Sequence, residues 1–551
     1  MKNSIALLCL LSFISTSLSA QNNYYWVKFK DKNNNPYSLN NPSGFLSSQA
    51  IHRRTVQQLS LDSTDLPITE TYIDSILPFV NELKHRLKWI NAVVVKVNNV
   101  ANLDSIKQLS FVDSIGGIEF FPSRAIHNKF ETEEAFTVDQ HITYPSKYGA
   151  AYHQINMLSA DLLHQMGYTG SGITIALMDN GFHNVGTTPA FDLARNRIVN
   201  TWDFVNNEAD VYNEGDHGTQ TFSCIGANVS DKYIGTAPDA SFILNHTEDN
   251  GAEWVMEEYN WEAAAEASDS AGANVFSTSL GYTTFDDGVG SHAYKDLTGD
   301  KTVITHAGNM AFKKGILVLN SAGNEGAGAW FRISAPADGD DVLAIGAVDS
   351  AKRVTNFSSR GPNFAGRIKP DFCAQGSRSA VIDAAGFIGT NNGTSFSCPI
   401  AAGCVASLWS AFPDKKATDI RDAIMISCDN FWTPDSIQGY GIPNFYNAYL
   451  LLKTNYNEKI LRIEGEMVVY PNPFNTDLNI SMYNTNPRDG VAHKIEIFNL
   501  LGQQIFSREV YLRAGTFEIV QLDIVKQLAA GEYILRVDGD KNNSYRVVKA
   551  K

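Results

Sequence analysis

The sequence predicts an α/β protein: a largely parallel sheet with helices on both faces, preceded by a small α/β domain and followed by a C-terminal β-sandwich. Short apolar runs at 173–178, 275–280, 316–319 and 342–348 alternate with helical stretches, as parallel βαβ units require. A block of strands and helices stands before them. After 453 the pattern changes to short strands separated by Gly, Asn and Pro turns.

Residues 1–20 carry Lys2, an apolar core over 5–14 and a small polar end at Ser19-Ala20, the layout of a secretory signal peptide. No later stretch is long and apolar enough for a membrane helix. In 21–122 the pattern gives strands at 24–29, 89–97 and 112–120. Helices are expected at 47–58, with Arg53-Arg54 at its centre, at 72–87 and at 102–109. Between a signal peptide and a larger domain, this block reads as a folding-assisting, inhibitory propeptide; an ordinary structural domain is the alternative. Residues 123–150 are polar, with charges clustered at 129–134, and form the expected linker and processing site. The central domain, 151–453, adds helices at 158–167 and 254–271, and its sheet type places sites at the carboxyl ends of strands. A second linker, 454–465, leads to the sandwich at 466–551, with strands expected at 467–470, 477–482, 494–498, 516–522, 533–537 and 544–548.

At 551 residues the chain exceeds one hydrophobic core, and 44% hydrophobic with 19% charged residues is a globular composition. A net charge of −15 argues against nucleic acid as a partner, because phosphates require a basic surface. Past the signal stand five cysteines, Cys224, Cys373, Cys398, Cys404 and Cys428, an odd number that leaves at least one free thiol. Cys398 and Cys404 lie six apart on one predicted helix and face different ways. The five are expected mainly as buried small hydrophobes, with room for one or two disulfides.

Chemistry concentrates at four places. Gly393-Thr394-Ser395-Phe396-Ser397-Cys398-Pro399, before the apolar run 400–412, reads as a turn opening into a buried helix, with Pro399 expected in the first turn. Ser395 would sit at the positive end of the helix dipole. A serine hydroxyl needs a base to become a nucleophile, and the base needs an orienting carboxylate. Asp179 directly follows the strand 173–178. His217 stands in Gly215-Asp216-His217-Gly218-Thr219, where glycines let the backbone pack closely. Its imidazole titrates near neutrality, as a base that takes and returns a proton must. Asn324 closes Ser321-Ala322-Gly323-Asn324 and offers a carboxamide donor to a developing oxyanion, beside the Ser395 N–H. Alone, each has a bland reading as a cap or turn residue. Together, in the order Asp, His, Asn, Ser, they point to nucleophilic catalysis.

These motifs, with Met178-Asp179-Asn180-Gly181-Phe182, His217-Gly218-Thr219 and Ser279-Leu280-Gly281, resemble the subtilisin-like serine peptidases, and the likeness runs to Gly439-Tyr440-Gly441-Ile442-Pro443. The resemblance implies Ser395 as nucleophile, His217 as general base then acid, Asp179 as its orienting carboxylate and Asn324 as oxyanion donor. It implies that Ser279, Leu280 and Gly281 pair with an extended substrate, with Ser321, Ala322 and Gly323 completing the substrate wall. Phe396 and Ser397 depart from the Met and Ala common in the family. The first domain resembles the family's propeptides, which implies an intramolecular inhibitor.

Val469-Tyr470-Pro471-Asn472-Pro473-Phe474, 497–502, Gly531-Glu532-Tyr533 and Lys549-Ala550-Lys551 resemble type IX secretion sorting domains of Bacteroidetes. That likeness implies an export-machinery partner, a secreted or cell-surface protein, and removal of about 467–551. A retained carbohydrate- or protein-binding β module is the alternative. The expected function is a secreted, monomeric serine endopeptidase acting on proteins or peptides through an acyl-enzyme. An exopeptidase on the same fold and a non-catalytic surface adhesin remain open. Catalysis of this kind requires no cofactor. Structural calcium, common in the family, would use Asp286-Asp287-Gly288 or Asp296-Leu297-Thr298-Gly299-Asp300, neither with the spacing of a defined loop.

Overall fold

The computed structural model describes residues 23–118, 137–138, 147–286, 288–453, 468–470, 472–476, 478–483, 491–512, 517–539 and 544–550. The expected signal peptide, most of the first linker and the second linker lie outside them. The N-terminal domain is a four-stranded antiparallel sheet of Tyr24–Phe29 (β1), Glu82–Leu87 (β2), Ala92–Lys96 (β3) and Val112–Ile118 (β4), in the order β2-β3-β1-β4. Helices Ser48–Gln57 (α1), Glu70–Ile76 (α2) and Ala101–Lys107 (α3) accompany it. Ser47 caps α1 by accepting from the Ala50 N–H at 3.1 Å, and Gln58 ends the helix in the left-handed region.

The helix expected over 72–87 is corrected by the structure. Helix α2 stops at Ile76, Pro78 sits in a 3-10 turn over Leu77–Phe79, and Glu82–Leu87 pairs with β3 as an edge strand. The proline cannot donate inside a continuing helix, and pairing then overrides the helical preference of Glu82, Leu83, Lys84 and Arg86. Strand β3 shows the period of two directly. Val93 and Val95 pack with Val27, Phe29, Ile73 and Ile106 in the domain's own core. Val94 faces the other way, joining Leu87 and Trp89 in a core shared with Tyr259 and Trp261 of the central domain. Further along, Thr137–Val138 (β5) is a two-residue strand on the edge of a later hairpin.

The central sheet has seven parallel strands: Thr174–Asp179 (β6), Ile198–Asp203 (β7), Ser241–His246 (β8), Val275–Thr278 (β9), Leu317–Ser321 (β10), Val342–Val348 (β11) and Phe372–Gln375 (β12). Their order is β12-β11-β10-β9-β6-β8-β7. Strands β9 to β12 are buried along their whole length; β9, β10 and β11 read as apolar runs for that reason, while β7, β8 and the short β12 were not among the strands expected. Asp216–Gly226 (α4) shares a core with Ile175 and Leu177 on one face; Met256–Ala271 (α5) and Val303–Lys313 (α6) cover Ala176 and Met178 on the other. An antiparallel hairpin, Ser379–Ile382 (β13) and Ile388–Asn391 (β14), leads into Thr394–Ser410 (α7), which packs on the α4 side. All five cysteines are buried free thiols, so the small-hydrophobe reading describes them and no disulfide joins them.

The C-terminal domain is a β-sandwich. Val468–Tyr470, Asn479–Tyr483 and Phe517–Gln521 form one sheet; Gln504–Leu512, Val491–Asn499, Gly531–Val537 and Ser544–Lys549 form the other. Phe474, Ile480, Ile495, Ile497, Leu535 and Val547 fill the space between. Strand Gln504–Leu512 was not among those expected, because within it only Val510 and Leu512 are buried and the apolar alternation is faint.

The N-terminal domain docks on α5 through a buried ionic cluster. Arg54 donates to both Asp269 oxygens at 2.9 Å and to Asp65 at 2.7 Å; Arg53 pairs with Asp269 and donates to the Lys314 carbonyl at 3.1 Å. Lys88 reaches Asp269 at 3.2 Å and Lys314 reaches Asp65 at 2.9 Å. Burial pushes the Asp269 carboxyl up, but Lys88, Arg53 and Arg54 outweigh it and hold it well below the usual range. Two helical turns away, burial beside Glu266 and Glu258 pushes the Glu262 carboxyl well up, and neither of its oxygens has a hydrogen-bond partner among the described residues.

This interface has a pH signature. His85 sits 2.7 Å from Asn260 Oδ1, and burial pushes its pKa down to about 3. Once the domains part, the ring regains an ordinary value of about 6.5. Docking then requires a proton to leave below that value, so the His85 contribution to affinity is full above about pH 6.5 and falls roughly tenfold per unit as pH drops toward the docked value. Glu262 acts with the opposite sign: docking takes up its proton, an advantage lost as pH rises through its docked pKa. The ratio of the two domains' dissociation constants, unaltered protein over His85→Gln, measured across pH after cutting the linker at an engineered site, should rise at least about tenfold between pH 6.5 and 5, because Glu262 acts equally in both. A ratio that stays constant across that window would sink this reading.

Candidate active site

Strand β6 ends on Asp179, whose carboxylate is 2% exposed and held by three donors. Its Oδ1 accepts from His217 Nδ1 at 2.7 Å and from the Asn180 N–H at 2.9 Å; its Oδ2 accepts from Thr221 Oγ1 at 2.9 Å. His217 lies in the first turn of α4, entered through Gly215 at φ 90°. A Cβ on Gly218 would fall 1.9 Å from the Gly181 carbonyl, so only glycine lets the helix start press against the turn after β6. The Gly218 N–H also donates to Asn180 Oδ1 at 3.1 Å. With Nδ1–H committed to the carboxylate, Nε2 is the ring's basic atom. Thr221 escaped the sequence reading, although four residues past His217 on a helix is the same face.

Ser395 is the second residue of α7. Pro399 lies inside this helix, not in its first turn as expected. Its nitrogen has no hydrogen for the Ser395 carbonyl four residues back. The Ser279 hydroxyl supplies one instead, donating to that carbonyl at 2.8 Å. Cys398 Sγ adds a 3.5 Å contact to the Thr278 carbonyl, so the helix start is fastened to the end of β9. Phe396, one of the two departures from the family pattern, is fully buried with its ring 5.9 Å from the His217 imidazole.

Beyond β10, Asn324 Oδ1 accepts from both the N–H and the hydroxyl of Thr394 at 2.9 Å. Fixing the oxygen this way fixes the Nδ2 donors as well, beside a helix terminus whose first N–H groups lack intrahelical acceptors. The Gly323 N–H donates to Thr394 Oγ1 at 3.2 Å. Thr394 therefore organises the carboxamide, a role not assigned to it from sequence. Ala322 is wholly buried and its N–H is taken by the Ile345 carbonyl at 3.0 Å, so it backs the wall from within. The Leu280 carbonyl accepts from Asn320 Nδ2 at 2.9 Å and Ser321 Oγ at 3.2 Å. Carried past Thr278, the alternation of β9 turns the carbonyls of Ser279 and Gly281 to the side opposite that of Leu280.

The acidic turns considered for calcium are engaged by the protein. Asp296 Oδ2 accepts from the Ala293 N–H at 2.9 Å, Asp300 Oδ1 from Asn309 Nδ2 at 2.8 Å, and Asp286 Oδ2 from the Glu253 N–H at 3.0 Å; Asp287 lies outside the described residues. Asp203, Glu214 and His246 also converge. There both imidazole nitrogens meet acceptors, Asp203 at 2.9 Å and the Glu248 carbonyl at 2.8 Å, which a protonated ring satisfies.

A parallel sheet whose neighbouring strand ends carry an Asp–His pair, a carboxamide and a helix-initial serine is the layout of serine peptidases with the order Asp, His, Ser. Residues 170–441 match the subtilase family, 24–135 the Bacteroidota peptidase S8 propeptide domain and 468–549 the secretion system C-terminal sorting domain. Subtilisin of Bacillus pumilus is 30% identical over 277 residues, 49% of this chain and 88% of that protein. Subtilisin E of Bacillus subtilis is 29% identical over 303 residues, 54% of this chain and 70% of that protein. The mouse membrane-bound transcription factor site-1 protease is 25% identical over 311 residues, 54% of this chain and 27% of that protein. The chain belongs to the subtilase family of serine peptidases, with a family propeptide domain and a type IX secretion sorting domain.

Proposed function

We propose that this protein is a secreted endopeptidase that cleaves internal peptide bonds through a covalent acyl-enzyme. Ser395 Oγ attacks the substrate carbonyl carbon while its proton passes to His217 Nε2. The imidazolium, steadied by Asp179, gives that proton to the departing amine as the C–N bond breaks. Water then repeats the sequence and frees the acid. Asn324 Nδ2 and the Ser395 N–H receive the oxyanion, and no cofactor enters. The buried Asp179–His217 bond, locked by Thr221, carries this reading. Residues 21–122 act as intramolecular inhibitor until the chain is cut within 123–150. Residues 1–20 direct export from the cytoplasm, and about 467–551 are removed at the outer membrane.

Product mapping on internally quenched peptides blocked at both ends tests the class. Cleavage within them is expected; products trimmed only from free ends would make the protein an exopeptidase. Asn324→Ala should lower kcat by about 10²–10³, with KM little changed, in steady-state assays; that size is the one known for subtilisin, carried over within the family. A loss confined to KM would remove Asn324 from the oxyanion.

A further inference from the structure

Across the sheet, β10, β11 and β12 run on in lateral order into Asn324, Asp349 and Ser377-Arg378. Between these ends opens a cleft of about 720 Å³ whose walls include Asn324, Asp349, Arg353, Phe357, Arg378 and Gly393. It borders the reaction centre at both Asn324 and Gly393. Ser279 and Gly281, which face the acyl side of a substrate, lie beyond β9 on the opposite flank of Asn324. A substrate crossing Ser395 from there carries its leaving-side residues toward β11 and β12. The chain's own segment just past the propeptide match, β5, follows the same side: Thr137 and Val138 pair with Thr390 and Gly389 of β14, which leads straight to Asn392-Gly393.

Two cations line this cleft, and they are not equivalent. Arg353 is neutralised by Asp349, with Nε at 2.9 Å and a second guanidinium nitrogen at 2.7 Å. Arg378 is exposed and has no carboxylate partner among the described residues. Its backbone, at φ 49°, is fixed: its N–H donates to Asn392 Oδ1 at 2.6 Å, and its carbonyl accepts from Gln375 Nε2 at 3.3 Å. A rooted, uncompensated cation in a chain of net charge −15 marks the wall for an anionic ligand.

We infer that Arg378 determines specificity on the leaving side, favouring substrates with Asp or Glu at the first or second residue after the scissile bond. This rests on the peptidase reading above. The test uses enzyme processed from the full chain and matched quenched peptides that differ only in Asp, Asn or Lys at those two positions. The ratio of kcat/KM for Asp over Asn should be about three- to tenfold at low salt, the range of a partly exposed ion pair, and should shrink as salt is raised. Arg378→Ala should bring the ratio to about one, Arg378→Lys should restore part of it, and Arg378→Glu should favour Lys. These are ratios within one variant, so a general loss of activity does not mimic them. Equal rates for Asp and Asn in the unaltered enzyme, or a preference that survives Arg378→Ala, would overturn the inference. If no peptide is cut at all, the peptidase reading itself falls and takes this inference with it.

Discussion

Replacing Ser395 by Ala is expected to leave a folded, export-competent protein whose peptide hydrolysis drops by about 10⁶ in kcat, a size carried over from subtilisin within the same family. Only one hydroxyl oxygen is lost from a 6% exposed side chain, and the Ser279 bond runs to the Ser395 backbone carbonyl, so the start of α7 stays fastened. Steady-state assays and circular dichroism on the same preparation check both halves. If the cut within 123–150 is the enzyme's own, the variant also accumulates as the uncut precursor. Residual activity within about a hundredfold of the unaltered protein would place the nucleophile elsewhere.

Asp269→Ala should have the largest effect on the precursor. The carboxylate is the shared partner of Arg53, Arg54 and Lys88, and it is wholly buried. Without it three cations face one another under the N-terminal domain. Removing one member of a buried ionic group costs about 3–5 kcal/mol, equivalent to roughly a hundred- to several-thousandfold in domain affinity. After processing, α5 is open to water and the same substitution should alter the mature domain by less than about 0.5 kcal/mol. Inhibition by the propeptide, titrated against mature enzyme, reads the first; thermal unfolding of the mature enzyme reads the second. A loss of inhibition below tenfold would mean that water enters the cluster and the apolar contacts of Leu87, Trp89 and Val94 carry the docking.

Four of the seven parallel strands, β6, β9, β10 and β11, were legible because burial on both faces leaves apolar runs, and the ten candidate site residues all fall at or beside the ends of β6, β9 and β10 and the starts of α4 and α7. What escaped depends on partners distant in sequence. Glu82–Leu87 has helix-favouring side chains and becomes a strand only because β3 offers an edge. Pro399 sits deeper in α7 than its chemistry favours because Ser279, 116 residues before Ser395, supplies the donor that the Ser395 carbonyl would otherwise lack. Thr394 was visible only as a neighbour of Ser395 in its motif and Thr221 lies in no motif; each acts by orienting another group. Arg53-Arg54 was visible as a charged pair at the centre of a helix, but not its destination, since Asp269 belongs to another domain.

The central claim is that one alcohol in this chain is activated by a buried imidazole–carboxylate pair. A fluorophosphonate reports on that state directly, since only an activated serine displaces fluoride from phosphorus. Applied to the processed protein, with the adduct located by peptide mass spectrometry, it should modify Ser395 alone, and His217→Ala should remove the labelling. No adduct on the unaltered protein, or an adduct that persists in Ser395→Ala, would contradict it.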